Sequence, residues 1–192
     1  GQVAGALYLD SLFTEKAFAE REAALLTILT DQAAVALENA RLHQSMVVDR
    51  VTGVFVPAYV DGILERELDR CKRYGRLLSI LRVDLDRFQV INDFHGSEAG
   101  NEILREVCGI LRKGIRLVDL LGRGAEDEFD VMLPETERAE ALRLANRLRT
   151  EIATWPFQAG GRDVNVTVSV GVLTCPTDAG TLTELRERLN EA

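Results

Sequence analysis

The order of elements legible in the chain predicts an α/β protein of the α+β kind. A mainly antiparallel central sheet is flanked by helices, and a long N-terminal linker helix precedes it. Three observations carry this expectation. From residue 57 onward the patterns run helix, strand, helix, helix, hairpin, helix, strand, helix. The run Leu77–Asp86 is apolar through most of its length, as a central strand covered on both faces would be. Residues 19–44 hold the longest helical pattern and contain neither Pro nor Gly.

Taken in order, Val3–Asp10 alternates apolar and small residues and reads as a strand cut from a larger sheet. In Ala19–Gln44, Leu25, Leu29, Gln32 and Ala36 recur at helical spacing, with Leu26, Ala33 and Leu37 beside them. This small-residue stripe suits close packing, either between two copies of the chain or onto the sheet of its own domain. Residues 46–56 read as a linker, because Asp49-Arg50-Val51-Thr52-Gly53 is a turn signal in which Asp and Thr bond nearby backbone. The domain boundary is placed there, dividing 1–45 from 57–192. Pro57 fits the first turn of a helix over Ala58–Tyr74, with Leu64, Leu68 and Cys71 on one face. The strand Leu77–Asp86 leads to a short helix, Phe88–His95, and a longer one, Gly100–Ile115. A hairpin follows, with strands over Leu117–Leu121 and Phe129–Leu133. Thr136–Thr154 is a helix with Thr136 as its N-cap. Val164–Leu173 is a strand closed by Pro176, and Thr181–Leu189 is a last helix.

The chain has 192 residues, 46% of them hydrophobic, and a formal net charge of −8. That length buries a substantial core. The charge disfavours nucleic acid or an anionic membrane as partner, so a small anionic ligand needs a local device such as a metal or an arginine pair. The three cysteines are far apart and lack CxxC spacing, which reads as reduced thiols in a cytoplasmic protein. With two histidines, a His-rich zinc site is not expected. The sequence shows neither a signal peptide nor an apolar run long enough to span a membrane.

The chemistry concentrates between Ile115 and Glu135. The hairpin turn carries Glu126, Asp127 and Glu128 in a row, and like charges so placed repel. Either solvent or a cation compensates them. If the end of the Leu77–Asp86 strand lies beside the turn, Asp84 faces Asp127 and Glu128. Carboxylates from neighbouring strands, completed by nucleotide phosphates, are what Mg²⁺ requires.

Several motifs in register then resemble the GGDEF domain of the diguanylate cyclase family. Asp49–Gly53 is similar to its leading Asp-x-Leu-Thr-Gly. Asp84-Leu85-Asp86-Arg87-Phe88-Gln89-Val90-Ile91-Asn92-Asp93 resembles Asp-x-Asp-x-Phe-Lys-x-Ile-Asn-Asp. Gly96–Asn101 resembles Gly-His-x-x-Gly-Asp, and Arg123-Gly124-Ala125-Glu126-Asp127-Glu128-Phe129 stands for Arg-Tyr-Gly-Gly-Asp-Glu-Phe. Val166–Gly171 matches Val-Thr-x-Ser-x-Gly. Residues 1–44 resemble the last strand and helix of a GAF domain. The resemblance implies a nucleotidyl-cyclase, palm-like sheet over 57–192, C-terminally truncated. It also implies a domain that joins two GTP molecules into cyclic di-GMP, one GTP per domain of a dimer. Asp84, Asp127 and Glu128 would hold Mg²⁺ whenever nucleotide is bound, with Asp127 and Glu128 catalytic or vestigial. Asn92 would contact guanine.

Four departures bear on that expectation. Ala125-Glu126 replaces the Gly-Gly turn, removing positive-φ freedom and setting an anion near the triphosphate, where one like charge costs roughly 1–4 kcal/mol. Gln89 replaces the lysine expected near phosphate. Asn101 replaces the aspartate expected to accept from guanine, and an amide offers one acceptor where a carboxylate offers two. The chain also ends before the family's late Ala-Lys and Gly-Arg-Asn segments. In contrast, Arg116 and Asp119 stand in register with the family's inhibitory Arg-x-x-Asp site for cyclic di-GMP, with Arg123 grouped beside them. An arginine fork suits guanine or phosphate and a carboxylate suits the guanine Watson–Crick edge. The bland alternative is an ordinary surface ion pair of about 0–1 kcal/mol. On a strand, positions 116 and 119 would face opposite ways, so the motif requires a helix-to-strand junction at Gly114–Ile115.

The expectation is therefore a cyclic di-GMP signalling module, more regulatory than enzymatic. It would bind cyclic di-GMP or GTP, pair through Ala19–Gln44 and contact a protein partner. The alternatives are a working diguanylate cyclase and a protein-interaction domain without nucleotide.

Overall fold

The computed structural model describes residues 20–45 and 47–191. The chain forms two compact units, Gly1–Met46 and Val47–Ala192. In the first, the helix expected over Ala19–Gln44 is α1, Glu20–Ser45. Leu25, Ile28, Leu29, Val35 and Leu37 are each more than half exposed along it. The strand expected at Val3–Asp10 lies outside the described residues.

The second unit is built on a four-stranded antiparallel sheet. Its strands are β1 Leu78–Leu85, β2 Leu120–Arg123, β3 Glu128–Pro134 and β6 Val168–Cys175, in the order β2-β3-β1-β6. Helices α2 Pro57–Tyr74, α3 Phe88–His95, α4 Ser97–Gly114, α5 Arg138–Thr154 and α6 Leu182–Glu191 complete it. A separate two-stranded ribbon pairs β4 Phe157–Ala159 with β5 Arg162–Val164. No helix among the described residues is long and apolar enough to cross a membrane.

β1 is central, as its apolar run predicts, and the period of two divides its side chains between two cores. Leu81, Val83 and Leu85 pack with Phe129 and Val131 against Ile103, Val107 and Leu111 of α4 and Leu148 of α5. Leu78 and Ile80 pack with Met132 and Cys175 against Leu64 and Leu68 of α2 and Leu185 and Leu189 of α6. Each such Leu or Ile removed from water contributes on the order of 1.5–3 kcal/mol. The three cysteines are free and buried.

The approach of α2 to the sheet depends on Gly122. A Cβ there would lie 2.2 Å from Val60 Cγ2 and 3.3 Å from the Phe55 carbonyl oxygen. Gly122→Ala is expected to destabilise the protein by about 1–3 kcal/mol through overpacking, read as a fall in the urea midpoint at constant slope.

Several expectations need correction. Residues 47–56 are no free linker. Val48 and Phe55 pair, Phe55 also bridges to Gly122, and the Arg123 N–H donates to the Phe55 carbonyl at 2.8 Å. The first hairpin strand starts at Leu120 rather than Leu117, because residues 116–119 close a turn in which the Asp119 N–H donates to the Arg116 carbonyl at 3.1 Å. Leu117 and Val118 point to solvent despite their apolarity. Thr136 is not the N-cap of α5. That residue is Glu137, while the Thr136 hydroxyl donates to the Pro134 carbonyl at 3.0 Å. The expected strand Val164–Leu173 is broken, with 165–167 outside any strand. Its first residue belongs instead to the β4–β5 ribbon, turned by Gly160 and Gly161 at φ 58° and 77°.

Candidate functional site

The acidic turn joins β2 to β3, and the β1–β3 register places Asp84 directly opposite Glu128. The backbone of Leu85 donates to the Asp127 carbonyl at 3.3 Å, so the end of β1 does lie against the turn. Burial raises the Asp84 pKa, and the charges of Asp127, Glu128 and Asp86 raise it further against the pull of Arg82. The cluster therefore carries more negative charge than its own surroundings neutralise.

That is the setting for a cation, and the donors are hard oxygens. Among the described residues, however, no three His, Cys, Asp or Glu side chains gather so as to hold a metal by themselves. Mg²⁺ is ordinarily held by one or two carboxylates plus substrate phosphates. The Asp84–Glu128 pair with Asp127 beside it fits an ion brought in with a nucleotide, and not a closed protein cage.

The turn itself departs from expectation. Neither Ala125 nor Glu126 has positive φ, and Gly124 has none either. Replacing the Gly-Gly pair therefore imposes no backbone strain here, and the conformational part of that expectation is corrected. What remains is the charge and bulk of Glu126, which stands exposed at the tip. The turn is tied by the Gly124 N–H to the Glu128 carbonyl at 2.8 Å and by the Ala125 N–H to Glu128 Oε2 at 3.3 Å.

Arg123 does not join Arg116 and Asp119 as expected. Its Nη1 donates to Asp49 Oδ1 at 2.9 Å and its Nη2 donates to the Glu126 carbonyl. Asp49 also accepts from the Thr52 N–H at 2.9 Å and the Thr52 hydroxyl at 2.6 Å. One arginine thus latches residues 49–52 to the acidic tip. Burial acts to raise the Asp49 pKa, but the Thr52 hydrogen bonds and Arg123 outweigh it, and the net shift is downward. A depressed carboxylate stabilises the fold above its unfolded pKa of about 3.9, and that contribution is lost as pH falls through the folded value. Asp49→Asn should therefore be less stable than wild type at pH 7, with the gap narrowing on acidification below about pH 4. Urea midpoints at the two extremes of pH measure it.

Asn92 and Asn101 lie on the paired helices α3 and α4. Gly100 allows the pairing, since a Cβ there would fall 1.9 Å from Asn92 Oδ1. That oxygen is buried and has no hydrogen-bond partner among the described residues. It faces Gly100 of α4 across the helix pair. Gln89 is exposed on α3 and makes none of the hydrogen bonds described here.

The Arg116–Asp119 turn is the helix-to-strand junction that the motif requires. The Arg116 N–H donates to Asp119 Oδ2 at 2.7 Å, while Asp119 Oδ1 is buried without a partner among the described residues. Burial raises the Asp119 pKa, opposed by the Arg116 backbone bond and the Arg116 charge. Two open clefts share Arg116 and Asp119. One, of about 610 Å³, adds Phe55 and Arg112. The other, of about 500 Å³, adds Lys113, Arg143 and Arg147. Both sizes lie in the usual range of small-molecule sites.

Sequence reasoning passed over two groups of residues. Asp86 accepts from the Thr167 hydroxyl at 2.6 Å and the Ser169 hydroxyl at 2.7 Å, fastening β1 to β6 beside Asp84. Arg82 and Asp130 form a buried ion pair directly inside the Asp84–Glu128 pair. A charge two residues inside the outer carboxylate of each strand, Arg82 before Asp84 and Asp130 after Glu128, was the available signal for that pair.

The diguanylate cyclase, GGDEF domain model matches residues 46–192. Response regulator PleD of Caulobacter vibrioides is 37% identical over 147 residues, covering 76% of this chain and 32% of its own length. Diguanylate cyclase A of Treponema denticola is 30% identical over 178 residues, covering 91% of this chain and 48% of its own. The structure of a delta-N mutant of PA1120 from Pseudomonas aeruginosa, comprising only the GGDEF domain, has a TM-score of 0.70 at 30% identity over 74% of this chain and 84% of that one. The chain thus spans 32% and 48% of the length of these two curated relatives.

Proposed function

The chain belongs to the GGDEF domain family of diguanylate cyclases, and from that premise we propose that it is a cyclic di-GMP-binding regulatory module whose own cyclase chemistry is impaired. The observation that carries the reading is Asp119. Its Oδ1 is a buried acceptor left open, its Oδ2 is fixed by the Arg116 backbone, and two basic clefts meet on it. A carboxylate so held accepts from the guanine edge, and exposed Arg116 with Arg143 and Arg147 around it suits the ligand's phosphates. Impairment is supported by Glu126 at the tip and by the neutral Gln89 and Asn101 at positions where the family pattern has charge.

In the cyclase site, Asp84, Asp127 and Glu128 would hold Mg²⁺ carried by GTP, and the ion would neutralise charge building up on the phosphates. Asn92 would contact guanine. We further infer that α1 pairs two copies, because its exposed Leu25, Ile28, Leu29 and Val35 are otherwise left to water. That helix would be the end of a GAF-like sensory domain in a cytoplasmic signalling protein, with a protein partner reading the output.

A second reading, an active cyclase, is favoured by the unstrained tip turn and the retained carboxylates. Calorimetry with cyclic di-GMP, run beside a product assay from GTP and Mg²⁺, separates the two. Micromolar cyclic di-GMP binding with negligible product supports the first. Product that disappears in Asp127→Ala establishes the second.

A further inference from the structure

Beneath the hairpin carboxylates lies a charged network that the family reading does not use. On one face of the sheet the register stacks two cross-strand pairs, Arg82 opposite Asp130 and Asp84 opposite Glu128. Asp130 is 0% exposed and Arg82 8%. Arg82 grips Asp130 with both arms of its fork, Nε to Oδ1 at 2.9 Å and Nη2 to Oδ2 at 3.2 Å. Asp130 also accepts from Arg186 of α6, which in turn donates from Nε to Asp61 of α2 at 2.9 Å. These four charges balance.

One nitrogen of Arg82 is left over. Its Nη1 donates to Asn190 Oδ1 of α6 at 2.6 Å and lies 3.5 Å from Glu128 Oε2. The same Glu128 oxygen takes the Ala125 N–H at 3.3 Å. Glu128 Oε2 is thus shared between an internal cation and the backbone of the turn. A guanidinium fixed by a fully buried carboxylate cannot leave, so whatever Glu128 offers to an incoming ion is offered against Arg82.

We propose that Arg82 is a built-in counter-cation that competes with a divalent metal ion for Glu128, with Asn190 of α6 setting how strongly. Arg82 is a positioning residue, acting through Glu128 and touching no substrate. The device links α6 to the acidic turn: Asn190 and Glu128 share Nη1, so an α6 that withdraws Asn190 leaves Nη1 wholly to Glu128 and strengthens Arg82 in the competition. The inference rests on the reading of Asp84, Asp127 and Glu128 as metal-facing carboxylates, and it supplies one cause for the impairment proposed above.

The test is calorimetric titration of Mn²⁺ in the presence of the α,β-methylene analogue of GTP, with thermal melting as the fold control. Arg82→Lys keeps a cation for Asp130 but shortens the arm that reaches Glu128. The pair Arg82→Met with Asp130→Leu removes the cation together with its buried carboxylate and leaves Arg186 to Asp61. Both should tighten Mn²⁺ binding about two- to fivefold, the range of a partly exposed ion pair. Asn190→Ala, on the surface, should weaken it by a similar factor. A gain in the Arg82 variants over a wild type too weak to measure also supports the proposal. Unchanged Mn²⁺ affinity in all variants, or no binding even in the Arg82 variants, overturns it. Product formation by wild-type protein addresses the impaired-cyclase reading separately, because the titration uses an analogue that yields no product.

Discussion

Arg116→Ala should reduce cyclic di-GMP affinity by about ten- to a hundredfold while leaving the melting temperature unchanged. A bidentate arginine contact to guanine or phosphate carries about 1–3 kcal/mol, and each 1.4 kcal/mol is tenfold in affinity. The fold should not notice the change, because the Arg116 side chain is exposed and its structural bond is the backbone N–H to Asp119, which alanine retains. Asp119→Asn is the sharper companion. It exchanges the open Oδ1 acceptor for an amide that can present a donor to the guanine edge, so binding should fall although size and burial are preserved. Calorimetry on the three proteins decides. Equal affinities would remove the Arg116–Asp119 turn from the binding account and return it to an ordinary surface pair.

How much of this was legible in the sequence depends on whether the deciding force was local. The central strand was readable because burial on both faces leaves an apolar run, and α3 was readable to the residue because Phe88 and Ile91 sit at helical spacing between turn residues. The Arg116–Asp119 turn was expected from the resemblance to the family's Arg-x-x-Asp motif, which a strand would have split between two faces. Its apolar pair Leu117-Val118 nonetheless drew the strand boundary too early, because hydrophobic pattern cannot sense that an Asp side chain has capped the backbone three residues back. The relaxed Ala125-Glu126 turn could not be read at all, as it depends on Arg123 holding the Glu126 carbonyl and on Asp49 holding Arg123. Asp49 and Arg123 lie 74 residues apart in sequence. Arg82 was hidden for a related reason: a charge in a largely apolar run reads as noise until its partner on the neighbouring strand is known.

That partner provides the largest stability effect expected. Asp130→Ala removes the acceptor of two arginines. Arg186 keeps Asp61, and the charges of Asp130 and Asp61 are what hold its pKa up against burial. Arg82 keeps Asn190 and the more distant Glu128, and it is itself almost wholly buried. Removing one partner of a buried pair leaves an uncompensated charge and costs about 3–5 kcal/mol, a large share of the roughly 5–15 kcal/mol that keeps a domain folded. Removing both partners for apolar residues of similar volume is often neutral or stabilising. The pair Arg82→Met with Asp130→Leu should therefore unfold at higher urea than Asp130→Ala, although it carries more substitutions. Adding the single variants Arg82→Met and Asp130→Leu closes a double-mutant cycle on the coupling. If the single and paired variants are equally stable, the network is only packing, and the tie from α6 through Arg82 to the acidic turn is lost with it.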